Sequence, residues 1–222
     1  MKFAVDSVPN IIFRDLSRND ATTVFLLNNA LRQIDSHAND FSRALSLFGY
    51  CRLQQIWLGG SEEHISWQFI AARDAVMSIF HYRKSMLVAN DIANSTQIIS
   101  PHVDRLFLKT ANSRFEKEFP DYAKVRHGVA HAGEMFQNIG AMNENAFNGS
   151  FEKAGILAKN VKNLMMGDTL TGDLFTTGTF DGEIVHCEIS QATLAAIRSI
   201  METFFGAFRK IPSPLAAPVA TS

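Results

Sequence analysis

Cysteine is scarce in this chain of 222 residues, which contains only Cys51 and Cys187. Two thiols so far apart in sequence are too few for a disulfide framework or a cysteine-based zinc site, so we expect both to be reduced. An excess of either charge is also lacking, because 21 basic and 22 acidic residues leave a formal net charge of −1. The net charge of the chain therefore gives no sign of binding to DNA or extended RNA, although it does not exclude a small local basic site.

Long apolar runs are a third absence. No stretch approaches the roughly 20 apolar residues that a membrane span needs. Near the N-terminus Asp6, Pro9, Arg14 and Asp15 interrupt any apolar region, so we do not expect a signal peptide. The expectation is a soluble, cytoplasmic protein with no membrane partner. Its 46% hydrophobic residues, with 18 Phe, are enough to build a core.

Proline and glycine are absent from residues 19–48, and apolar residues recur there at steps of three and four. This pattern predicts one long helix, capped by Asn19 or Asp20 and ended by Gly49. Ser61 is followed by two glutamates, which favour the positive end of a helix dipole. A second helix is therefore predicted to run from Ser61 to about residue 90.

The middle of the chain is divided by two prolines. Pro101 and Pro120 each suit the first turn of a helix and predict the start of a third and a fourth helix. Residues 137–150 are rich in Asn and Gly and are predicted to form a loop. A short helix is expected at about 151–165.

The hydrophobic period then changes, because residues 168–189 are rich in Thr. Asp181-Gly182 lies between two extended segments, and this dipeptide is the strongest short signal for a β-hairpin turn. Ser190 is predicted to cap a last amphipathic helix, which Pro212 stops.

Together these segments predict an all-α fold, an up-down helical bundle with one β-hairpin inserted before the C-terminal helix. Residues 1–211 form a single helical domain in this interpretation. Residues 212–222 are predicted to be a disordered tail.

Residues 124–134 read KVRHGVAHAGE and hold the strongest candidate site. His127 and His131 lie one helical turn apart, a spacing also seen in zinc proteases, but those carry Glu directly after the first His, where this chain has Gly128. A third metal ligand would have to come from elsewhere in the chain, such as Glu134 or His102. We therefore expect no metal ion or cofactor, and a metal site remains the weaker alternative.

The same stretch contains Arg-x4-His, from Arg126 to His131. The bare spacing is weak, because Arg32 and His37 satisfy it too. Around Arg126, however, a polar residue (His127) follows the Arg, and a short spacer precedes His131. This arrangement resembles the signature of the HEPN family, the "higher eukaryotes and prokaryotes nucleotide-binding" helical domains. Two long predicted helices before the motif and a helix after it are also similar to that family.

The resemblance implies a HEPN-like bundle that forms a homodimer, with the motif helices of two chains meeting at a cleft. Many members are metal-independent endoribonucleases of toxin or defence systems, some of them paired with a nucleotidyltransferase-type antitoxin. Others are catalytically silent and serve in dimerisation or in binding a nucleotide or a partner. In the enzymatic interpretation Arg126 and His131 are catalytic and His127 binds substrate.

The residue types suit metal-free RNA cleavage. Imidazole can move the proton of a 2′-hydroxyl near neutral pH, and the planar guanidinium can hold a phosphate as charge builds. Five residues turn a regular helix by about 500°, however, which leaves Arg126 and His131 about 140° apart. An irregular first turn would relieve this, and so would a two-fold dimer in which one chain's Arg serves the other's His. Gly128 would then allow two such helices to approach closely.

Overall fold

The computed structural model describes residues 8–59, 61–135, 137–153 and 156–216. This part of the chain is mostly helical, as predicted, but it also contains several short strands, so the predicted all-α class is confirmed only in part. None of its helices has the length and apolarity needed to span a membrane.

Six α-helices, one 3-10 turn and seven short strands are present in the described residues. The helices are α1 (Arg18–Leu58), α2 (Glu62–Ser95), α3 (Arg105–Glu118), α4 (Tyr122–Met135), α5 (Ile139–Glu144) and α6 (Gln191–Gly206), with the 3-10 turn at Ser100–His102. The strands are β1 (Phe13–Arg14), β2 (Phe147–Lys153), β3 (Ile156–Leu164), β4 (Thr169–Thr171), β5 (Leu174–Gly178), β6 (Ile184–Glu188) and β7 (Leu215–Ala216). They form a parallel pair β1-β7, an antiparallel pair β2-β3 and an antiparallel sheet in the order β4-β5-β6.

The first helix is longer than predicted. It starts after Ser17, whose hydroxyl accepts a hydrogen bond from the backbone N–H of Asp20 at 3.2 Å and lies 2.7 Å from the Asp20 carboxylate. The cap is therefore Ser17 and not Asn19 or Asp20. The predicted stop at Gly49 is wrong, because α1 continues to Leu58. A glycine costs a helix only about 1 kcal/mol, and the buried side chains of Phe48 and Cys51 on either side hold the backbone in place.

Capping side chains also set the starts of α3 and α6. Pro101 lies in the 3-10 turn, and α3 begins only after Asp104, whose carboxylate accepts from the N–H of Leu106 at 3.1 Å. The predicted start of the third helix was therefore too early. The predicted cap of α6 is confirmed, since Ser190 Oγ accepts from the N–H of Thr193 at 3.2 Å.

The expected short helix at 151–165 is wrong, because β2 and β3 pair as an antiparallel hairpin there, with Phe151 opposite Ala158. Asn160 and Asn163 have left-handed backbone angles (φ of 50° and 56°), which a continuous helix does not accommodate. The turn at Asp181-Gly182 is confirmed, with Gly182 at φ 66° between β5 and β6. The prediction of a single hairpin is wrong, because β4 adds a third strand to this sheet and β2-β3 is separate.

The chain divides into two compact units. The first comprises residues 1–39, 81–118 and 195–222 as far as they are described. In its core the Tyr82 hydroxyl donates to the carbonyl of Ile197 at 3.2 Å, and the Tyr82 ring stacks on Phe115 at 6.0 Å. The predicted disordered tail is wrong at Leu215, which is buried and paired with Phe13 in the β1-β7 ladder. Residues 217–222 lie outside the described part.

The second unit comprises residues 40–80 and 119–194 as far as they are described. Helix α4 packs on strands β5 and β6 there. Phe175 on β5 and Val185 on β6 are buried in this unit. The prediction that residues 1–211 form one domain stays a prediction.

Candidate functional site

Helix α4 is held against the β4-β5-β6 sheet through its glycine. A Cβ atom on Gly128 would lie 2.6 Å from the carbonyl oxygen of Gly178 and 2.8 Å from Thr177 Cγ2. Only glycine permits so close an approach of helix and strand. Gly128 therefore serves packing within this chain, which differs from the helix–helix approach expected from the sequence.

The two histidines of the motif lie side by side on α4. The ring centroids of His127 and His131 are 4.7 Å apart, with 31° between the ring planes. Phe180, in the turn between β5 and β6, stands edge-on to both imidazoles, at 5.0 Å from His127 and 6.0 Å from His131. His127 is exposed and His131 is half-buried, so the pair is open to a ligand from solvent.

His131 is oriented by a carboxylate. Its Nδ1 lies 2.7 Å from Oε1 of Glu134, an exposed residue three positions further on. The backbone of His131 departs from helical geometry (φ −121°, ψ 18°), so α4 kinks at this residue. The imidazole is thus tied at one ring nitrogen and placed at a break in the helix.

Arg126 points elsewhere. Its guanidinium carbon lies 5.0 Å from the ring centroid of Phe80 on α2, and Tyr122 packs on the same ring at 6.2 Å. The Nε of Arg126 is buried and has no hydrogen-bond partner among the described residues. No hydrogen bond, ion pair or ring contact in that part of the chain joins Arg126 to His131. The structure therefore brings His127, His131 and Glu134 together and leaves Arg126 apart.

Lys124, the other cationic side chain of the quoted stretch, lies close to acidic residues. Lys124 forms an ion pair with Glu183, and this hydrogen bond raises the pKa of Lys124, with the charges of Asp121 and Asp181 adding to the effect. Lys124 is therefore engaged by carboxylates and is not a free ligand for a phosphate.

The second Arg-x4-His match has different surroundings. Arg32 donates to the Asn10 side chain at 3.3 Å, and the His37 ring lies 5.5 Å from that of His81. Both lie on α1, where Arg32 is exposed and His37 is half-buried. They serve as internal controls for the Arg126 motif.

Metal and thiol chemistry find little support in the described residues. No group of three or more His, Cys, Asp or Glu is arranged there to hold a metal ion. Glu134, one of the two residues considered as a third ligand, bonds His131 directly. Burial raises the pKa of Cys187 to about 12, with the charge of Glu188 adding to the effect, and burial also raises the pKa of Cys51. Both thiols are thus poor nucleophiles.

Two contacts of the site were not found from the sequence. Phe180 and Phe80 lie far from the motif along the chain, and each was one of 18 Phe with no distinguishing pattern. The position of Phe180 beside Asp181-Gly182 was the one available signal, since it places an aromatic ring at a hairpin turn. No family model, curated protein or solved structure matches this chain.

Proposed function

We propose that this chain is a HEPN-like, metal-independent endoribonuclease in which His131 moves the proton of the RNA 2′-hydroxyl. The observation that carries the proposal is the 2.7 Å contact between His131 Nδ1 and Glu134. A carboxylate at Nδ1 favours the tautomer with its proton on that nitrogen, which leaves Nε2 able to accept one.

The reaction needs no metal. Nε2 of His131 takes the 2′-hydroxyl proton, the 2′-oxygen attacks the adjacent phosphorus, and the bond to the 5′-oxygen breaks. His127, whose ring centroid lies 4.7 Å from that of His131, binds the phosphate, and a water molecule gives a proton to the leaving 5′-oxygen. The products are a 2′,3′-cyclic phosphate and a 5′-hydroxyl.

Arg126 is assigned to the phosphate of a neighbouring chain's site. Within one chain its guanidinium packs on Phe80 and makes no contact with His131 among the described residues. A homodimer with two-fold symmetry would present each Arg126 to the partner's histidine pair. The guanidinium would then stabilise the charge that builds on the phosphate.

A cleavage assay on single-stranded RNA tests these roles. We expect His131→Ala to lower the rate roughly 100- to 10,000-fold, as loss of a general base does, and Arg126→Ala to lower it roughly 100- to 1,000-fold. His127→Ala should also lower the rate, while Arg32→Ala and His37→Ala leave it unchanged. EDTA should not inhibit. Cleavage that survives His131→Ala, or that stops with EDTA, contradicts the mechanism.

Mixing two inactive variants tests whether the site is shared between chains. Arg126→Ala and His131→Ala chains, unfolded together and refolded, should give heterodimers that hold one intact composite site. With random pairing, about a quarter of the wild-type activity should return. No recovery, although light scattering shows dimers, would show that Arg126 acts within its own chain or not at all.

A catalytically silent module that binds a nucleotide or a partner protein is the second candidate. The packing of Arg126 on Phe80 and the carboxylates around Lys124 favour it. If purified protein binds RNA or a nucleotide but cleaves none of a mixed RNA pool, this candidate stands and the ribonuclease proposal fails. Toxicity on expression that His131→Ala removes would instead favour a ribonuclease toxin, for which a nucleotidyltransferase-type antitoxin is the expected partner.

A further inference from the structure

The turn between β5 and β6 is fastened to α4 at three places. At the first, Gly128 lets the helix lie against the backbone of Gly178, where an added Cβ would be only 2.6 Å from the carbonyl oxygen. At the second, Lys124 forms its ion pair with Glu183. At the third, Phe180 contacts the histidine pair.

The shape of the turn is set by its own hydrogen bonds. Thr179 N donates to the carbonyl of Glu183 at 2.9 Å, and Glu183 N donates to Thr179 Oγ1 at 3.0 Å. Gly182 has φ 66° and its N–H donates to the carbonyl of Thr179 at 3.1 Å. Thr179 is itself buried. Phe180 therefore lies in a turn whose shape is fixed by its own hydrogen bonds. This turn follows β5, and the close contact at Gly128 holds β5 against α4.

The orientation of Phe180 suits it to fix both imidazoles at once. Its ring plane makes an angle of 89° with that of His127 and 74° with that of His131. Edge-to-face pairs of this kind are favoured because the positive edge of one ring meets the negative face of another. Each such pair adds stabilisation beyond that from burial of its apolar surface. His127 has no other ring or hydrogen-bond contact among the described residues except His131. Phe180 and His131 are thus the two rings that restrict its rotation.

We propose that Phe180 is a positioning residue that holds the imidazoles of His127 and His131 in register for proton transfer. The inference rests on the proposed ribonuclease function for its catalytic consequence, but the placement of the rings can be measured without it. Phe180 touches no substrate atom in this role and acts through the two histidines. Misplacing a catalytic group by about 1 Å commonly costs roughly 100-fold in rate.

The test combines NMR of the histidine rings with cleavage kinetics on Phe180→Leu, which keeps an apolar side chain but removes the ring. We expect the ring proton signals of His127 and His131, assigned with His127→Asn and His131→Asn, to shift as the ring current of Phe180 is lost. The cross-relaxation between the two imidazoles should weaken. The kcat should fall roughly 10- to 100-fold, and KM should rise as well, because Phe180 also positions His127, which binds the phosphate.

Two controls separate positioning from a general loss of structure. Phe180→Tyr keeps the ring and should restore both the signals and kcat. Phe151→Leu removes an aromatic ring of β2 that contacts Phe147, and it should move neither histidine signal. Unchanged imidazole signals in Phe180→Leu would overturn the inference, as would shifted signals with an unchanged kcat. If the wild-type protein cleaves no RNA, the proposed function fails and the NMR result alone decides where Phe180 places the rings.

Discussion

The close approach of α4 to β5 makes a sharp prediction for Gly128→Ala. The added methyl would lie 2.6 Å from the carbonyl oxygen of Gly178, and 2.8 Å and 3.1 Å from two atoms of Thr177. The nearest atom belongs to the backbone of a paired strand, so it cannot swing aside as a flexible side chain would. Overpacking of this kind typically costs about 1–3 kcal/mol, and the rigid partner places this case near the upper end.

The substitution also has a favourable side. Alanine is a better helix former than glycine by about 0.8–1.0 kcal/mol in a helix interior, and it lowers the entropy of the unfolded chain. Setting this against the steric cost gives a net loss of about 1–2 kcal/mol in the free energy of unfolding.

Gly133 provides the matched control in the same helix. A Cβ there would meet nothing within 4 Å, so Gly133→Ala should be neutral or stabilising by up to about 1 kcal/mol. Urea unfolding followed by circular dichroism measures both variants. The reasoning is refuted if Gly128→Ala is as stable as Gly133→Ala. If Gly128→Ala instead lowers only the mass seen by light scattering, Gly128 faces a second chain as the sequence first indicated.

Two further predictions follow from the pKa shifts. Since burial raises the pKa of Cys187 to about 12, its alkylation at pH 8 in a Cys51→Ala background should be roughly 1,000-fold slower in the native protein than in urea; equal rates would show that this thiol is accessible and ionised. The hydrogen bond from Lys210 lowers the pKa of Asp104, so this carboxylate contributes stability above about pH 4 that is lost as the pH falls. Asp104→Asn should therefore lower the Tm at pH 7 and have little effect near pH 2, and a pH-independent difference would contradict this.

Local signals in the sequence predicted those features that depend on local backbone geometry. Asp181-Gly182 marked a turn because few other residues adopt φ 66° readily, and Ser190 marked a helix start because its hydroxyl is the natural acceptor for the free N–H groups there. The helix at 151–165 failed for the opposite reason. The pairing of Phe151 with Ala158 satisfies the backbone N–H and C=O groups of two strands by hydrogen bonds between them. The sequence of one strand alone does not show which segment will pair with it.

Packing across the chain accounts for the remaining differences. Gly49 stays helical because buried neighbours stabilise α1 on both sides of it. Gly128 looked like a site for a second helix because its sequence shows only that a close approach is allowed, not which element makes it. Phe180 could not be assigned to the site from sequence for the same reason, since it reaches His127 only once β5 has paired with β6 and packed on α4.

The sequence and the structure agree that Arg126 and His131 point in different directions. A five-residue step on a regular helix predicts that the two side chains diverge, and Arg126 indeed packs on Phe80 while His131 bonds Glu134. The kink at His131 lies five residues after Arg126 along α4. If both residues act on one phosphate, as proposed above, either Arg126 leaves Phe80 or a second chain supplies the arginine.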